Sequence, residues 1–251
     1  MGPLPNAKAV RAALRGVASE ERARVSRSFF KTGPGQYGEG DRFLGVTVPA
    51  TRAIAKHASA LPEGELDALL ASPWHEERLL ALLVLVRRYE RGDREEKRSV
   101  CAFYRRRFAA VNNWDLVDLS AWQILGRELA ASARAGAVPR ELTTLARSPV
   151  LWERRIAMVA TFAWTKEGQG GPALAIAASL LGDREDLMHK AVGWMLREVG
   201  KRVSREELRA FLELHAHAMP RTALRYALEH FDAAERQRWL ARGRSALRTS
   251  S

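Results

Sequence analysis

The chain has 251 residues, of which 47% are hydrophobic and 28% are charged. These values are typical of a globular protein with a sizeable core, and they exclude wholesale disorder. Its single cysteine, Cys101, excludes an intramolecular disulfide framework and a cysteine-rich zinc site. A formal charge of +12 predicts a polyanionic partner, which is nucleic acid or, less often, an anionic membrane surface.

The N-terminal residues lack the apolar core of a signal peptide, and Asn6 stands where a myristoylation signal needs Ser or Thr. The longest apolar run, 79–86, is too short to cross a membrane and fits a buried helix. We therefore expect a soluble protein, and its one cysteine is compatible with the cytoplasm.

Periods near 3.6 residues dominate, and Ala, Leu, Arg and Glu fill them, so the sequence predicts an all-α chain. Ser-Pro pairs at 72–73 and 148–149 mark helix starts, and Gly-containing breaks mark turns. The predicted helices are 6–30, 48–59, 64–71, 75–91, 93–109, 115–131, 139–147, 151–165, 171–181, 184–200, 204–216, 219–230 and 232–242.

One irregular stretch, 33–41, has four glycines among nine residues and cannot be helical. It lacks the Lys-Ser/Thr pair and the preceding strand of a nucleotide-phosphate loop. We slightly favour a surface turn between helices. The alternative is a flexible element that closes over, or tracks, a ligand.

The chain also repeats itself. A shift of 76 residues aligns 72–73 with 148–149 and 77–78 with 153–154, and the apolar positions around them match in type. Half of that shift, 38, is close to the period of HEAT and armadillo units. The repeat predicts a superhelical solenoid of antiparallel helix pairs, and a basic concave face on it would suit a duplex.

The segment 112–118 (NNWDLVD) is typical of a helix start, with Asn112 or Asn113 as the cap. Trp114 and Asp118 are four residues apart and therefore share a helix face. Two interpretations are about equally favoured: a buried Trp beside a capping acid, or an aromatic platform beside an anionic catalyst.

A second cluster, 152–155 (WERR), places two adjacent arginines at a helix start, where they cannot both face the core. Arg155 either forms a salt bridge with a glutamate or clamps a phosphate.

The third cluster is 189–198. Lys190 and Arg197 share a helix face with Trp194, which is typical of backbone-binding stripes and equally of a core Trp with solvated flanks. Gly193 within the same helix suggests the close approach of another body.

The remaining candidate residues give weaker indications of function. The pair His215 and His217 has no third ligand nearby, so a metal site is not expected. Cys101 fits a packing role. Arg221 and Arg225 share a helix face that either contacts phosphate or is simply solvated.

Taken together, four segments resemble the bacterial DNA alkylation repair family of HEAT-like-repeat alkylpurine DNA glycosylases. The resemblance spans roughly residues 20–230 and rests on 30–49, 114–118 (WDLVD), 152–157 (WERRIA) and 190–198 (KAVGWMLRE). We expect one HEAT-like-repeat domain over 1–251, with N-terminal helices and the glycine-rich loop to about 46, helix pairs over 47–243, and a flexible tail at 244–251.

The resemblance implies excision of cationic N3- or N7-alkylated purines from duplex DNA without base flipping. It implies no metal or organic cofactor. It also implies double-stranded DNA as the partner, a monomer, and a place in the bacterial cytoplasm close to the nucleoid during repair. The implied roles are Trp114 and Trp194 as walls around the deoxyribose, Asp118 as the catalytic carboxylate, and Arg155, Trp152, Lys190, Arg197 and Arg154 as DNA-binding residues.

Asn113, Asp186 and Leu187 depart from the aromatic residues that the family often carries at those places, which affects substrate details more than the reaction. Two other classes remain as alternatives. One is a non-catalytic DNA-structure binder on the same scaffold, which the presence of Asp118 disfavours. The other is a protein-binding HEAT scaffold, which the charge of +12 disfavours.

Overall fold

The computed structural model describes residues 2–134 and 136–245, with side chains described as far as residue 242. Over these residues the secondary structure is helical, and the only strand-like pairing is an isolated bridge between Arg42 and Trp74. The prediction of an all-α chain is therefore confirmed. Contacts divide the chain into two compact units, Met1–Ile124 and Leu125–Ser251.

The first unit consists of seven α-helices and a short 3-10 turn at Phe108–Ala110 within its described residues. The helices are α1 (Ala7–Arg15), α2 (Glu20–Phe29), α3 (Val48–His57), α4 (Glu63–Leu70), α5 (His75–Arg91), α6 (Arg94–Arg106) and α7 (Trp114–Ser120).

A π-helical stretch, Trp122–Gly126, follows α7 along the chain. The helices of the second unit are α8 (Arg127–Ser132), α9 (Arg140–Leu145), α10 (Leu151–Ala160), α11 (Phe162–Lys166), α12 (Gly171–Ser179), α13 (Asp186–Arg202), α14 (Arg205–His215), α15 (Arg221–Ala227) and α16 (Ala233–Ser245).

Each unit is built around one long helix of 17 residues, α5 in the first and α13 in the second. Helix α5 packs against α3, α4, α6 and α7, and α13 packs against α10, α12, α14 and α15. All eight residues of the apolar run 79–86 are buried, as predicted. None of the helices in the described part of the chain combines the length and apolarity needed to cross a bilayer.

Side-chain caps set several helix starts. The hydroxyl of Ser19 accepts from the N–H of Arg22, the carboxylate of Asp93 accepts from the N–H of Glu96, and Ser204 accepts from the N–H of Glu207. Each cap satisfies a backbone donor that has no partner within the helix. The caps at Asp93 and Ser204 stand at the first residues of the helices predicted there.

Four predicted helices are interrupted. The helix predicted over 93–109 ends as α6 at Arg106 and is followed by the 3-10 turn at 108–110. The helix predicted over 6–30 is two helices, because Ser19 caps α2 and its own N–H donates to the carbonyl of Leu44. The helix predicted over 115–131 contains the π-helical stretch, where a Cβ on Gly126 would lie only 2.3 Å from the carbonyl oxygen of Ala160. The helix predicted over 151–165 breaks at Thr161.

The sequence repeat at 72–78 and 148–154 corresponds to a repeated local structure. The hydroxyl of Ser72 accepts from the N–H of Trp74, and that of Ser148 accepts from the N–H of Val150, at 3.1 and 3.0 Å. Each turn leads into a core helix, α5 or α10. Several consecutive helices pack on one another, as expected of helix-pair repeats: α4 on α5, α5 on α6, α9 on α10, α12 on α13 and α13 on α14.

A basic concave face and a single domain over 1–251 stay predictions. Of the predicted tail at 244–251, residues 244 and 245 belong to the last turn of α16. Residues 246–251 lie outside the described residues.

Candidate functional site

Helix α7 carries the two residues that the sequence paired, Trp114 and Asp118. Asn113 caps this helix, and its side-chain oxygen accepts from the N–H of Trp114 at 2.9 Å. Trp114 and Asp118 are both half-buried. Asp118 is therefore not part of the fully buried core of its unit.

Two phenylalanines at the end of α2 flank the indole of Trp114. Phe30 stacks on it with ring centroids 5.4 Å apart and an angle of 18° between the planes. Phe29 meets it edge-on at 5.9 Å, and 62% of Phe29 is exposed. Trp114 therefore packs against two phenylalanines without being fully buried, and its role as a platform beside a catalytic carboxylate stays a prediction.

We call Trp114 with Phe29 and Phe30 the aromatic platform. Beneath it lies a group of buried charged residues that the sequence did not reveal. Nδ1 of His75 is 2.8 Å from Asp41, and its Nε2 is 2.8 Å from Asp115. Arg78 donates to the second oxygen of Asp41 at 2.8 Å, and the amide of Asn113 donates to Asp41 at 3.1 Å. We call these five residues the His75 network.

Burial by itself would lower the pKa of His75, but the hydrogen bonds to Asp115 and Asp41 and the charges of both carboxylates raise it to about 9. Burial opposes ionisation of Asp41 as well, yet the bonds and charges of His75 and Arg78 hold the pKa of that carboxyl below its usual value. Both directions favour the ionised forms at neutral pH.

The residue after His75 adds a second polar anchor. Glu76 is buried, and its carboxylate accepts from three consecutive backbone N–H groups at 44–46, at 2.9, 2.8 and 3.1 Å. The next residue, Glu77, accepts from Arg11 of α1 at 2.8 Å. The start of α5 thus ties α1 and the segment 41–46 to the base of α7.

Asp41, His75 and Asp115 were missed because they are 34 and 40 residues apart along the chain. One signal was present in the sequence. Four charged or polar residues, 75–78 (HEER), stand directly before the apolar run 79–86, with no break between them. A helix that is apolar on every side must bury its first turn too, so these side chains require buried partners.

The glycine-rich segment 33–41 is attached to the end of α2. The hydroxyl of Tyr37 donates to the carbonyl oxygen of Phe29 at 3.3 Å. A Cβ on Gly38 would lie 2.3 Å from the carbonyl oxygen of Phe30, so only glycine fits there. These contacts support the surface-turn interpretation.

In the second unit, the three polar candidates of α10 differ in their surroundings. Trp152 is half-buried. Arg154 forms an ion pair with Asp183 at 2.6 Å and donates to the carbonyl oxygens of 148 and 149. Arg155 is 4% exposed and donates to the carbonyl oxygen of Leu187 at 2.5 Å. Their DNA-binding roles stay predictions.

Helix α13 carries the remaining candidates. Trp194 is half-buried, and its ring lies 6.0 Å from that of Phe162. Lys190 pairs with Asp186 at 2.8 Å, and Arg197 pairs with Glu229 at 2.5 Å and with Glu198 at 3.2 Å.

The close approach suggested by Gly193 is made by α15. A Cβ at that glycine would lie 2.5 Å from both the carbonyl oxygen of Ala223 and the Cβ of Tyr226. The glycine therefore serves helix packing. Within 2–134 and 136–242, no group of three or more His, Cys, Asp or Glu side chains could hold a metal ion.

The helices and their packing place the chain in the class of all-α proteins built from packed helix pairs. The model of the family described as DNA alkylation repair enzyme matches residues 10–231, so the chain belongs to that family. Membership supports a role in DNA repair and DNA as the substrate, and it bears out the resemblance seen in the sequence.

A solved structure described as a predicted DNA alkylation repair enzyme from Enterococcus faecalis superposes on the chain with a TM-score of 0.64. The superposition covers 86% of this chain and 97% of that chain at 18% sequence identity, so the likeness concerns the fold. No significant match exists among curated proteins.

Proposed function

We propose that this protein is a DNA glycosylase that hydrolyses the N-glycosidic bond of cationic N3- or N7-alkylated purines in duplex DNA, without rotating the base out of the helix. The observation that carries the proposal is the half-buried Asp118, four residues after Trp114 on the same helix, in a chain of the DNA alkylation repair enzyme family. The formal charge of +12 supports a polyanionic substrate.

The chemistry suits a site with little acid catalysis. An N3- or N7-alkylated purine is already cationic, so it departs with the electrons of the glycosidic bond as a neutral base. Positive charge then develops on the deoxyribose, as in the oxocarbenium-like transition states of glycoside hydrolysis. A carboxylate beside the sugar stabilises that charge, and this is the role of Asp118.

Water completes the reaction. Its oxygen forms a bond to the anomeric carbon as the bond from that carbon to the base nitrogen breaks, and its proton is released. Asp118 orients the water or accepts the proton. The proposed products are the free alkylated base and an abasic site, and the step needs no group beyond water and the chain's own side chains.

The indole of Trp114 contributes through its negatively polarised face. An aromatic face attracts a cationic sugar more strongly than a neutral one, so the gain is largest in the transition state. Each such contact is worth about 0.5 to 2 kcal/mol. Trp194 has the same role by resemblance. Five residues are proposed to position the DNA backbone without reading its sequence: Arg155, Trp152, Lys190, Arg197 and Arg154.

The test is release of free base from a duplex oligonucleotide that carries 7-methylguanine, with the undamaged duplex as a substrate control. We expect release by the wild type and, for Asp118→Asn, a rate lower by about tenfold or more with DNA binding retained. Glu95→Gln, which changes an exposed carboxylate at the start of α6, is the matched control and should keep the wild-type rate.

The outcomes separate the alternatives. Base release by the wild type that Asp118→Asn leaves unchanged removes Asp118 from the mechanism. Tight duplex binding without release from any cationic lesion contradicts the glycosylase and leaves the non-catalytic DNA-structure binder.

A further inference from the structure

The charge state of His75 follows from the geometry of its two ring nitrogens. Each lies 2.8 Å from a carboxylate oxygen, of Asp41 on one side and of Asp115 on the other. A carboxylate can only accept, and a neutral imidazole carries one N–H. Both contacts are satisfied only when both nitrogens carry protons, so the ring is an imidazolium.

The charges around His75 sum to zero only when its ring is an imidazolium. The imidazolium and the guanidinium of Arg78 face the carboxylates of Asp41 and Asp115, two positive charges against two negative ones. The side chains of His75, Asp41 and Arg78 are 3, 6 and 5% exposed. At such burial an uncompensated charge is costly, so loss of the imidazolium proton would destabilise the arrangement.

Aromatic rings cover the imidazole of His75. Phe43 stacks on the imidazole of His75 with centroids 4.6 Å apart, and Phe30 lies over it at 4.9 Å. Phe30 is also the ring on which Trp114 stacks. The imidazolium therefore lies among aromatic faces, which attract a cation, and beneath the platform of the proposed site.

The His75 network is hydrogen-bonded to the beginning of α7 on both sides of Trp114. Asn113, the residue before it, donates to Asp41, and Asp115, the residue after it, bonds His75. Helix α7 has only seven residues before the π-helical stretch at 122–126 begins, and short helical segments depend on tertiary contacts for their stability. Its orientation is therefore set by tertiary contacts, and these two are polar contacts at its first turn.

We propose that His75, as an imidazolium, is a positioning residue that orients α7 and so holds Trp114 and Asp118 in place for the reaction. This inference rests on the function proposed above. The other charged residues at the start of α5 bond elsewhere: Glu76 to the backbone at 44–46, Glu77 to Arg11, and Arg78 to Asp41. The charges bonded to the ring are the carboxylates of Asp41 and Asp115.

The variants follow from the hydrogen-bonding pattern. In His75→Gln the amide donates to Asp41, but its oxygen faces the carboxylate of Asp115 and the cation is gone. Adding Asp115→Asn supplies a donor for that oxygen and removes the unbalanced negative charge. The double variant His75→Gln/Asp115→Asn is therefore a designed rescue, and His217→Gln, at an exposed histidine, is the matched control.

Two readouts are needed, single-turnover base release at saturating duplex and hydrogen exchange of the amides of α7. We expect His75→Gln to slow release by about tenfold or more with unchanged duplex affinity, because a small misplacement of a catalytic group is enough for such a loss. It should also speed exchange in α7. The double variant should recover most of both, and His217→Gln should match the wild type.

The possible results separate failure of the inference from failure of the proposed function. Wild-type release and wild-type exchange in His75→Gln overturn the inference, and so does faster exchange with an unchanged rate. If the wild type releases no base, the proposed function fails, and exchange in α7 still decides whether His75 orients that helix. If His75→Gln does not fold, ring ¹⁵N spectra of the wild type decide the charge state, since a ring with a single N–H at neutral pH would overturn the inference.

Discussion

Arg78 and Arg154, which occupy equivalent positions in the sequence repeat, make the same contact in the two units. Each donates to the carbonyl oxygen of the serine that precedes its helix, Ser72 at 2.9 Å and Ser148 at 3.0 Å. Each also pairs with a buried aspartate, Asp41 or Asp183. The repeat seen in the sequence is thus a repeated structural device, in which a guanidinium fixes the turn before a core helix.

We expect both arginines to contribute to stability through this device. Arg78→Met and Arg154→Met should each lower the free energy of unfolding, Arg78→Met by about 3 kcal/mol, because each removes a cationic partner from a buried aspartate. Urea unfolding measures the loss. The salt dependence of duplex binding tests the DNA-binding role of Arg154. A slope reduced by about one in Arg154→Met would support a phosphate contact, and an unchanged slope would make Arg154 a structural residue only.

The His75 network predicts how stability depends on pH. Because the pKa of His75 is raised to about 9 from an ordinary value of 6.5, its contribution is complete below 6.5 and is lost as pH rises through 9. The contribution of Asp41, whose pKa is lowered, is present above its ordinary value of 3.8 and is lost as pH falls further.

The alkaline loss should amount to about 3 kcal/mol in the wild type. It should be absent from His75→Gln/Asp115→Asn, which has no proton to lose there. Urea unfolding from neutral pH to beyond 9 makes the comparison. Equal losses in the two proteins would assign the alkaline effect to other groups.

Alanine substitutions at two helical glycines should change the stability of the protein in opposite directions. Gly193→Ala should destabilise the protein by about 1 to 3 kcal/mol, because the added methyl meets the backbone of Ala223 and the Cβ of Tyr226 at 2.5 Å. Gly64→Ala, in α4, has nothing within 4 Å of the new Cβ and should stabilise by about 0.5 kcal/mol. Thermal unfolding gives both values, and destabilisation by Gly64→Ala would contradict the packing argument.

For the proposed backbone contact, Arg155→Ala should weaken duplex binding equally for all sequences and reduce the salt slope by about one, because a phosphate contact carries no sequence information. Binding titrations at several salt concentrations on two unrelated duplexes measure this. A weaker affinity for one sequence alone would contradict the role. A lower thermal stability with an unchanged slope would make Arg155 a structural residue, bonded to the carbonyl of Leu187.

Much of the local structure could be predicted from local chemistry. Periodicity predicts the helices, and the caps at Ser19, Asp93 and Ser204 explain where helices begin. The same cap at Ser19 was the available signal for the break within 6–30. The π-helical stretch had no such signal, because it depends on the approach of Ala160 to Gly126.

The pairing of Trp114 with Asp118 also lay within reach of the sequence, because residues four apart on a helix must share a face. By itself, then, the sequence determined the all-α class, the repeat, the basic charge and this pair, since each depends on neighbours along the chain or on composition. Tertiary structure alone decided that Asp41, His75 and Asp115 meet, that Phe30 lies under Trp114, and that Arg155 is buried. These facts depend on contacts between segments that lie far apart along the chain, which no local periodicity encodes.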